Sequence, residues 1–292
     1  MEAHTAILQF IVDGILYGIM YGLAAIGLNL IFGTMRIVFI AQGTLIVFLA
    51  YLCFWLFSLY GVDPYLSLIP IILAGFLLGI GLYHGIFKES ALLKDRIGSL
   101  LLAVGIMFFM ENFMMIAWTP NPRAVVTSYG FFAIELFGIK LTLTRMLALA
   151  LGVVSVLLLA LFLKRTFLGM AVRAASEDVE ACTLMGINPH RVNAVSFAIG
   201  LGVAAVAGVN IAVTYSFDPM YGLDVAIKAL IALTLGGIGS FYGGFIGGVL
   251  LGLIESSGAY LVGTGWAQGI CFAVFLLTLI LKPQGLFGEK AS

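Results

Sequence analysis

Charge is what this chain has least of. Only 10% of its 292 residues are charged, against ~25% in an average soluble domain. Fourteen basic and 14 acidic side chains cancel to a net charge of zero, which leaves no electrostatic footprint for a nucleic acid. Cysteine is also scarce. Cys53, Cys182 and Cys271 form no CxxC pair and read as small buried hydrophobes, neither a disulfide framework nor a metal site. The three histidines, His4, His84 and His190, lie far apart and none has an HExxH neighbour, so a metal centre is not expected. No GxxxxGK[ST] motif occurs, so the chain does not hydrolyse ATP itself. GIGSFYG carries a GxG but has no strand before it. No enzyme constellation remains, and no cofactor is expected on this chain. The N-terminus, MEAHTAILQF, lacks the basic region of a signal peptide, so the first apolar run is expected to stay in the mature protein.

What is abundant is apolar. Hydrophobic residues make up 62% of the chain and mean hydropathy is +1.17, the composition of an integral membrane protein. A membrane helix needs roughly 20 apolar residues. Candidates run over about 8–32, 43–60, 64–87, 97–118, 143–163, 192–216, 225–258 and 259–281. They predict an all-α polytopic fold of about eight membrane segments, a single transmembrane domain over 1–292. The seventh block is too long for one crossing and is broken by GGIGSFYGG, Gly236 to Gly244. It reads as a re-entrant hairpin of two half-length helices. A packing seam is the other reading, because Gly239, Gly243 and Gly247 are spaced four apart, as are Gly244, Gly248 and Gly252. GLNLIFGTMRIVFIAQGTLIVFLAY has a similar broken form, a hint of internal duplication.

Lys and Arg set orientation. Arg36; Lys88, Lys94 and Arg96; Lys164, Arg165, Arg173 and Arg191; and Lys282 and Lys290 form four patches. An outside N-terminus puts all four inside, with a cytoplasmic C-terminus, provided the seventh block enters and leaves on the outer side. Between spans, RAASEDVEACTLMGINPHR gathers Glu177, Asp178 and Glu180 with Arg173, His190 and Arg191. Such an island belongs on an aqueous face. It is either an ordinary charged loop or a helix on which a soluble partner can push. Helix is expected from about Glu177 to Gly186, with the glycine as stop and Asn188-Pro189 turning the chain into the next span.

Polar residues inside spans are candidates for a lining: Gln42, Glu111, Asn112, Tyr215 and Glu255, with Gly236, Gly237 and Gly239 at the break. Asn29 and Asn210 complete the set. Each alone also reads as an interhelical hydrogen bond. A carboxylate deep in a span costs ~2.5–3.5 kcal/mol, so Glu111 is expected to face the interior or to reach toward Lys228.

At this point the motifs resemble a known family, the permease subunits of branched-chain amino acid type ABC importers. RAASEDVEACTLMGINPHRV resembles the family's cytoplasmic coupling segment. The stretch from Gly222 to Glu255 resembles its glycine-rich hairpin, and LILKPQGLFG its C-terminal signature. The resemblance runs from about residue 11 to residue 288. It implies a coupling helix at about 177–188, with Arg173, Glu177, Asp178, Glu180, Ala181, Leu184, Met185 and Gly186 toward the ATPase. It also implies a second permease subunit, identical or homologous, two cytoplasmic ATPases that bind the ATP, a periplasmic binding protein, and residence in a bacterial inner membrane. The family's Asn-Phe-Ala-His-Gly run is here Phe39, Ile40, Ala41, Gln42 and Gly43, and the acidic Glu111 replaces a more usual amide. Phe39 and Gln42 are therefore expected to set selectivity for a small amino acid-like or amide solute. A channel or secondary carrier that needs no ATPase, with Glu111 as a proton site, is the competing reading.

Overall fold

The computed structural model describes residues 2–89, 96–136, 139–237, 239–282 and 284–288; Lys94 and Lys290 of the basic patches lie outside them. Eleven α-helices follow one another among these residues. They are α1 Glu2–Met35, α2 Ala41–Tyr60, α3 Leu68–Leu82, α4 Arg96–Trp118, α5 Leu143–Arg165, α6 Phe167–Glu177, α7 Val179–Leu184, α8 Pro189–Thr214, α9 Tyr221–Gly236, α10 Phe241–Val262 and α11 Thr264–Leu281. A π-turn, Tyr83–Phe87, extends α3. A short antiparallel pair, β1 Ala133–Leu136 and β2 Ile139–Thr142, interrupts the helical pattern between α4 and α5, in register Ala133↔Thr142. Eight of these helices are long and apolar enough to cross a membrane: α1 to α5, α8, α10 and α11.

Small side chains decide which helices lie inside. In lipid no hydrophobic force draws helices together, so close backbone approach and hydrogen bonds must do it. α8 and α1 beyond its first turns are largely buried, whereas α4 and α11 are mostly exposed. The glycine and alanine run of α8 lets α3 approach: a Cβ on Gly79 would stand 2.6 Å from the Phe197 carbonyl oxygen.

The tightest contact is between α1 and α10. Gly14, Gly18 and Gly22 of α1, spaced four apart, face Gly248 and Gly252 of α10. The partners run in opposite order, from Gly14 beside Leu253 to Gly22 beside Phe245, so the helices are antiparallel. α10 has a second small face. Gly243 and Gly247 meet Gly236 and Ala232 of α9. The packing seam read from the glycine spacing is therefore real, and double.

The glycine break closes the α9–α10 hairpin. Gly237 and Gly239 adopt φ of 109° and 89°, a region that favours glycine. Ser240 then caps α10, its hydroxyl accepting from Gly243 N at 3.2 Å. The expected pair of half-length helices does not describe this hairpin. α9 has 16 residues and α10 has 22, the latter ~33 Å long at 1.5 Å per residue. Its seam with α1 runs from Gly244 to Leu253. The tip sits toward the bundle end that carries α6 and α7. Asn29 Nδ2 donates to Ser240 O at 2.7 Å and its Oδ1 accepts from Gly239 N at 3.0 Å. One turn further along α1, Gly33 abuts Ser176 of α6. The C-terminal segment seals the tip, with Leu286 N to Leu235 O at 2.9 Å and Phe287 N to Gly236 O at 3.0 Å.

At the opposite end, the segment between α4 and α5 packs on the others. Arg123 pairs with Phe217, and the Tyr129 hydroxyl donates to Asp63 Oδ2 at 2.7 Å. Burial and the Asp63 carboxylate push the Tyr129 phenol well above its usual range, which keeps it a donor.

A Gly248→Val substitution is expected to force α1 and α10 apart, because a Cβ at Gly248 would lie 2.2 Å from Gly22 N. The cost should be ~1–3 kcal/mol or more, read as a lower melting midpoint in detergent. Gly105→Ala, which meets nothing within 4 Å, should change it by less than ~0.5 kcal/mol.

Candidate functional site

A cavity of about 630 Å³ opens at the bundle end remote from α6 and α7. Its walls come from the first half of α1, the turn after α8, α9, the last turns of α10 and the start of α11. In its wall Lys228, 8% exposed, is held by three groups. Its Nζ lies 2.8 Å from Glu255 Oε1, 3.0 Å from Asp224 Oδ2 and 3.1 Å from the Tyr21 hydroxyl. The same ammonium stands 5.1 Å from the centroid of the Tyr21 ring. Asp224 precedes Lys228 by one helical turn, a favourable order on α9. Gln268 of α11 donates to the other Asp224 oxygen at 2.9 Å. At the rim Arg145 of α5 pairs with Asp13 at 2.7 Å. Tyr17 and Tyr215 stack at 5.0 Å to form an aromatic wall. Glu255 Oε2 is buried with no hydrogen-bond partner among the described residues.

Of the residues read from the sequence, the structure brings Glu255 and Tyr215 to this cavity together with Lys228. Lys228 is committed to Asp224 and Glu255, not to Glu111. Glu111 is half-buried on α4, and Asn112 is exposed and turned back on Phe108 O at 2.8 Å. Neither lines the cavity. Phe39 is fully buried in an aromatic cluster, 5.5 Å from Phe87 and 5.0 Å from Phe197. Gln42 is buried too, its amide donating to Ala24 O at 3.0 Å. Both pack the core in this structure and line no part of the cavity. Gly236, Gly237 and Gly239 form the sealed tip described above. Asp13, Tyr17, Tyr21, Tyr221 and Asp224 were missed. Their signal was helical spacing: Asp13, Tyr17 and Tyr21 repeat every four residues in α1, and Tyr221, Asp224 and Lys228 share a face of α9.

The polar island forms a second surface. It is helical, but as two helices and not one. Asp178 takes an extended conformation, φ −145° and ψ 105°, and caps α7, its Oδ1 accepting from Glu180 N at 2.8 Å and Ala181 N at 3.0 Å. An aspartate at that place gains more as a cap than inside a continuous helix. Gly186, φ 82°, ends the element, and Asn188 caps α8 with Pro189 in its first turn. Arg173, Glu177, Asp178, Glu180, Ala181, Leu184, Met185 and Gly186 are all exposed. Leu184 is 89% and Met185 84% exposed, an apolar pair at the end of α7. Arg36 at the end of α1 donates to Ser176 O at 3.2 Å and ties the island to the bundle.

Lys228→Met is expected to leave Asp224 and Glu255 facing one another without their cation. Breaking such a buried pair from one side costs ~3–5 kcal/mol. The melting midpoint should drop accordingly, and adding Asp224→Asn and Glu255→Gln should recover most of the loss.

Residues 10–279 match the family described as branched-chain amino acid transport system, permease component. The permease protein BraD of a Pseudomonas aeruginosa high-affinity branched-chain amino acid transport system is 29% identical over 294 residues, covering 97% of this chain and 96% of that protein. LivH, the corresponding permease protein of Escherichia coli K12, is 28% identical over 300 residues, covering 99% of this chain and 97% of its own length. LivM of the same organism is 25% identical, covering 91% of this chain and 67% of its own. Among solved structures, PsaBC from Streptococcus pneumoniae in complex with Fab superposes with a TM-score of 0.55 at 12% identity, covering 96% of this chain and 92% of that one, a likeness of fold. With eight apolar helices of spanning length and a family match over nearly all its residues, this multi-pass membrane protein belongs to the permease-component family of branched-chain amino acid transport systems.

Proposed function

We propose that the chain is the membrane subunit of an ATP-driven importer for a small amino acid-like or amide solute. It works with a second permease subunit, two cytoplasmic ATPases that bind the ATP, and a periplasmic binding protein that delivers solute. Its N-terminus lies outside and its C-terminus in the cytoplasm of a bacterial inner membrane.

One observation carries this reading beyond the family match: α1 connects the exposed island to the cavity. Its last turns hold Ser176 through Arg36 and the α9–α10 tip through Asn29. Its first half supplies Asp13, Tyr17 and Tyr21 to the cavity. Leu184 and Met185 offer a docked ATPase an apolar anchor, and the rigid glycine seam carries its displacement to the far end of α1. A self-contained channel or carrier has no use for such an anchor. Glu111 and Asn112 mark a face of α4 that lipid would tolerate poorly, at ~2.5–3.5 kcal/mol for a charge. The second permease subunit covers it.

Met185→Asp places a charge in the anchor without touching the bundle. Docking should weaken by ~1–2 kcal/mol, roughly five- to thirtyfold. In proteoliposomes of the assembled importer, solute uptake and transport-stimulated ATP hydrolysis should fall together while the melting midpoint of the chain stays unchanged. Unaltered uptake would remove the docking role.

A further inference from the structure

The cavity already holds an ammonium group. Lys228 places its Nζ between two carboxylates and beside the Tyr21 hydroxyl, the arrangement that recognises an organic cation through charge-assisted hydrogen bonds. The cluster is nevertheless one positive charge short. Among the described residues, Asp13, Asp224 and Glu255 stand against Arg145 and Lys228, and Arg145 is spent on Asp13. An uncompensated carboxylate away from bulk water is costly. This one borders a cavity of about 630 Å³, within the ~300–1,000 Å³ range of small-ligand pockets.

We propose that the cavity is a binding site for the ammonium group of a small organic solute, which bridges Asp224 and Glu255 from the cavity side against the tyrosine wall. The excess charge selects the ligand. A neutral amide leaves the deficit in place, and an anion deepens it. A zwitterion fits with its ammonium inward and its carboxylate toward the mouth. A divalent metal does not fit, since no group of three or more His, Cys, Asp and Glu among the described residues could hold one. Lys228 acts as a tethered stand-in for the solute, holding the carboxylates apart from one another until the solute arrives. The site belongs to this chain alone. Its failure leaves the docking role of α7 standing, and failure of docking leaves the site standing.

The test uses the full-length chain in lipid nanodiscs and methylammonium chloride as probe, with acetamide, a neutral amide that also carries a methyl group, and sodium chloride at matched concentration. Saturation transfer to the methyl protons reports binding, and the melting midpoint reports stabilisation by a bound ligand. Wild type is expected to transfer saturation to methylammonium and not to acetamide. Glu255→Gln should bind methylammonium at least about tenfold more weakly. If that variant does not fold, Asp224→Asn carries the same expectation. Lys228→Met, which lacks the tethered ammonium, should bind the probe more tightly than wild type and regain melting temperature as it is added. Equal saturation of acetamide, equal recovery of Lys228→Met by sodium chloride, or unchanged binding in the carboxylate variants would overturn the proposal.

Discussion

The contact of α1 with α10 sets the position of everything else in the bundle. Leucine against leucine gains nothing over leucine against lipid, so the two helices adhere through backbone approach that only glycine permits. Gly14, Gly18 and Gly22 on one helix and Gly248 and Gly252 on the other make that approach continuous over two turns, ~12 Å at 1.5 Å per residue. The second small face of α10 then draws α9 in, and α9 brings Lys228 and Asp224 to Glu255. A side chain larger than hydrogen in the seam would therefore separate the charged residues of the cavity as well as the helices.

The cavity and the island occupy opposite ends of the same helix. At one end α1 is bound by polar contacts to the α9–α10 tip and to α6. At the other it lends an aspartate and two tyrosines to the cavity. The helix is 34 residues long, ~51 Å at 1.5 Å per residue, enough to reach beyond a hydrocarbon core of ~30 Å. On the proposed function, a rod of that kind, packed against α10, carries displacement between the island and the cavity.

Much of this was legible in the residues. Spans follow from runs of about twenty apolar residues, and all eight spans of the structure lie within or close to the blocks read from hydropathy. The asparagine and proline that open α8 and the glycine after α7 also sit where their turn chemistry put them. The break at Gly236 to Gly244 was found, but its depth was not. Half-length helices and a 22-residue helix on a glycine seam leave the same local signal, and the complementary glycines of α1 lie more than two hundred residues away. The Asp178 cap was hidden because aspartate favours a helix start and a helix first turn alike. The site was half legible. Glu255 and Tyr215 stood out as polar groups in apolar runs, whereas Asp13 and Tyr21 did so only as members of a helical stripe. Phe39 and Gln42 departed from the family pattern, yet tertiary packing gave them core positions.

The measurement that bears most directly on this account is the distance across the cavity mouth while the ATPases change state. Spin labels at Ser216 and Thr264 stand on the turn after α8 and at the start of α11, both exposed. In the assembled importer, the account predicts a distance distribution that shifts when ATP is bound and returns after hydrolysis, because α1 and α10 carry the displacement of α6 and α7 to the cavity. One unchanged distribution in every nucleotide state would contradict it.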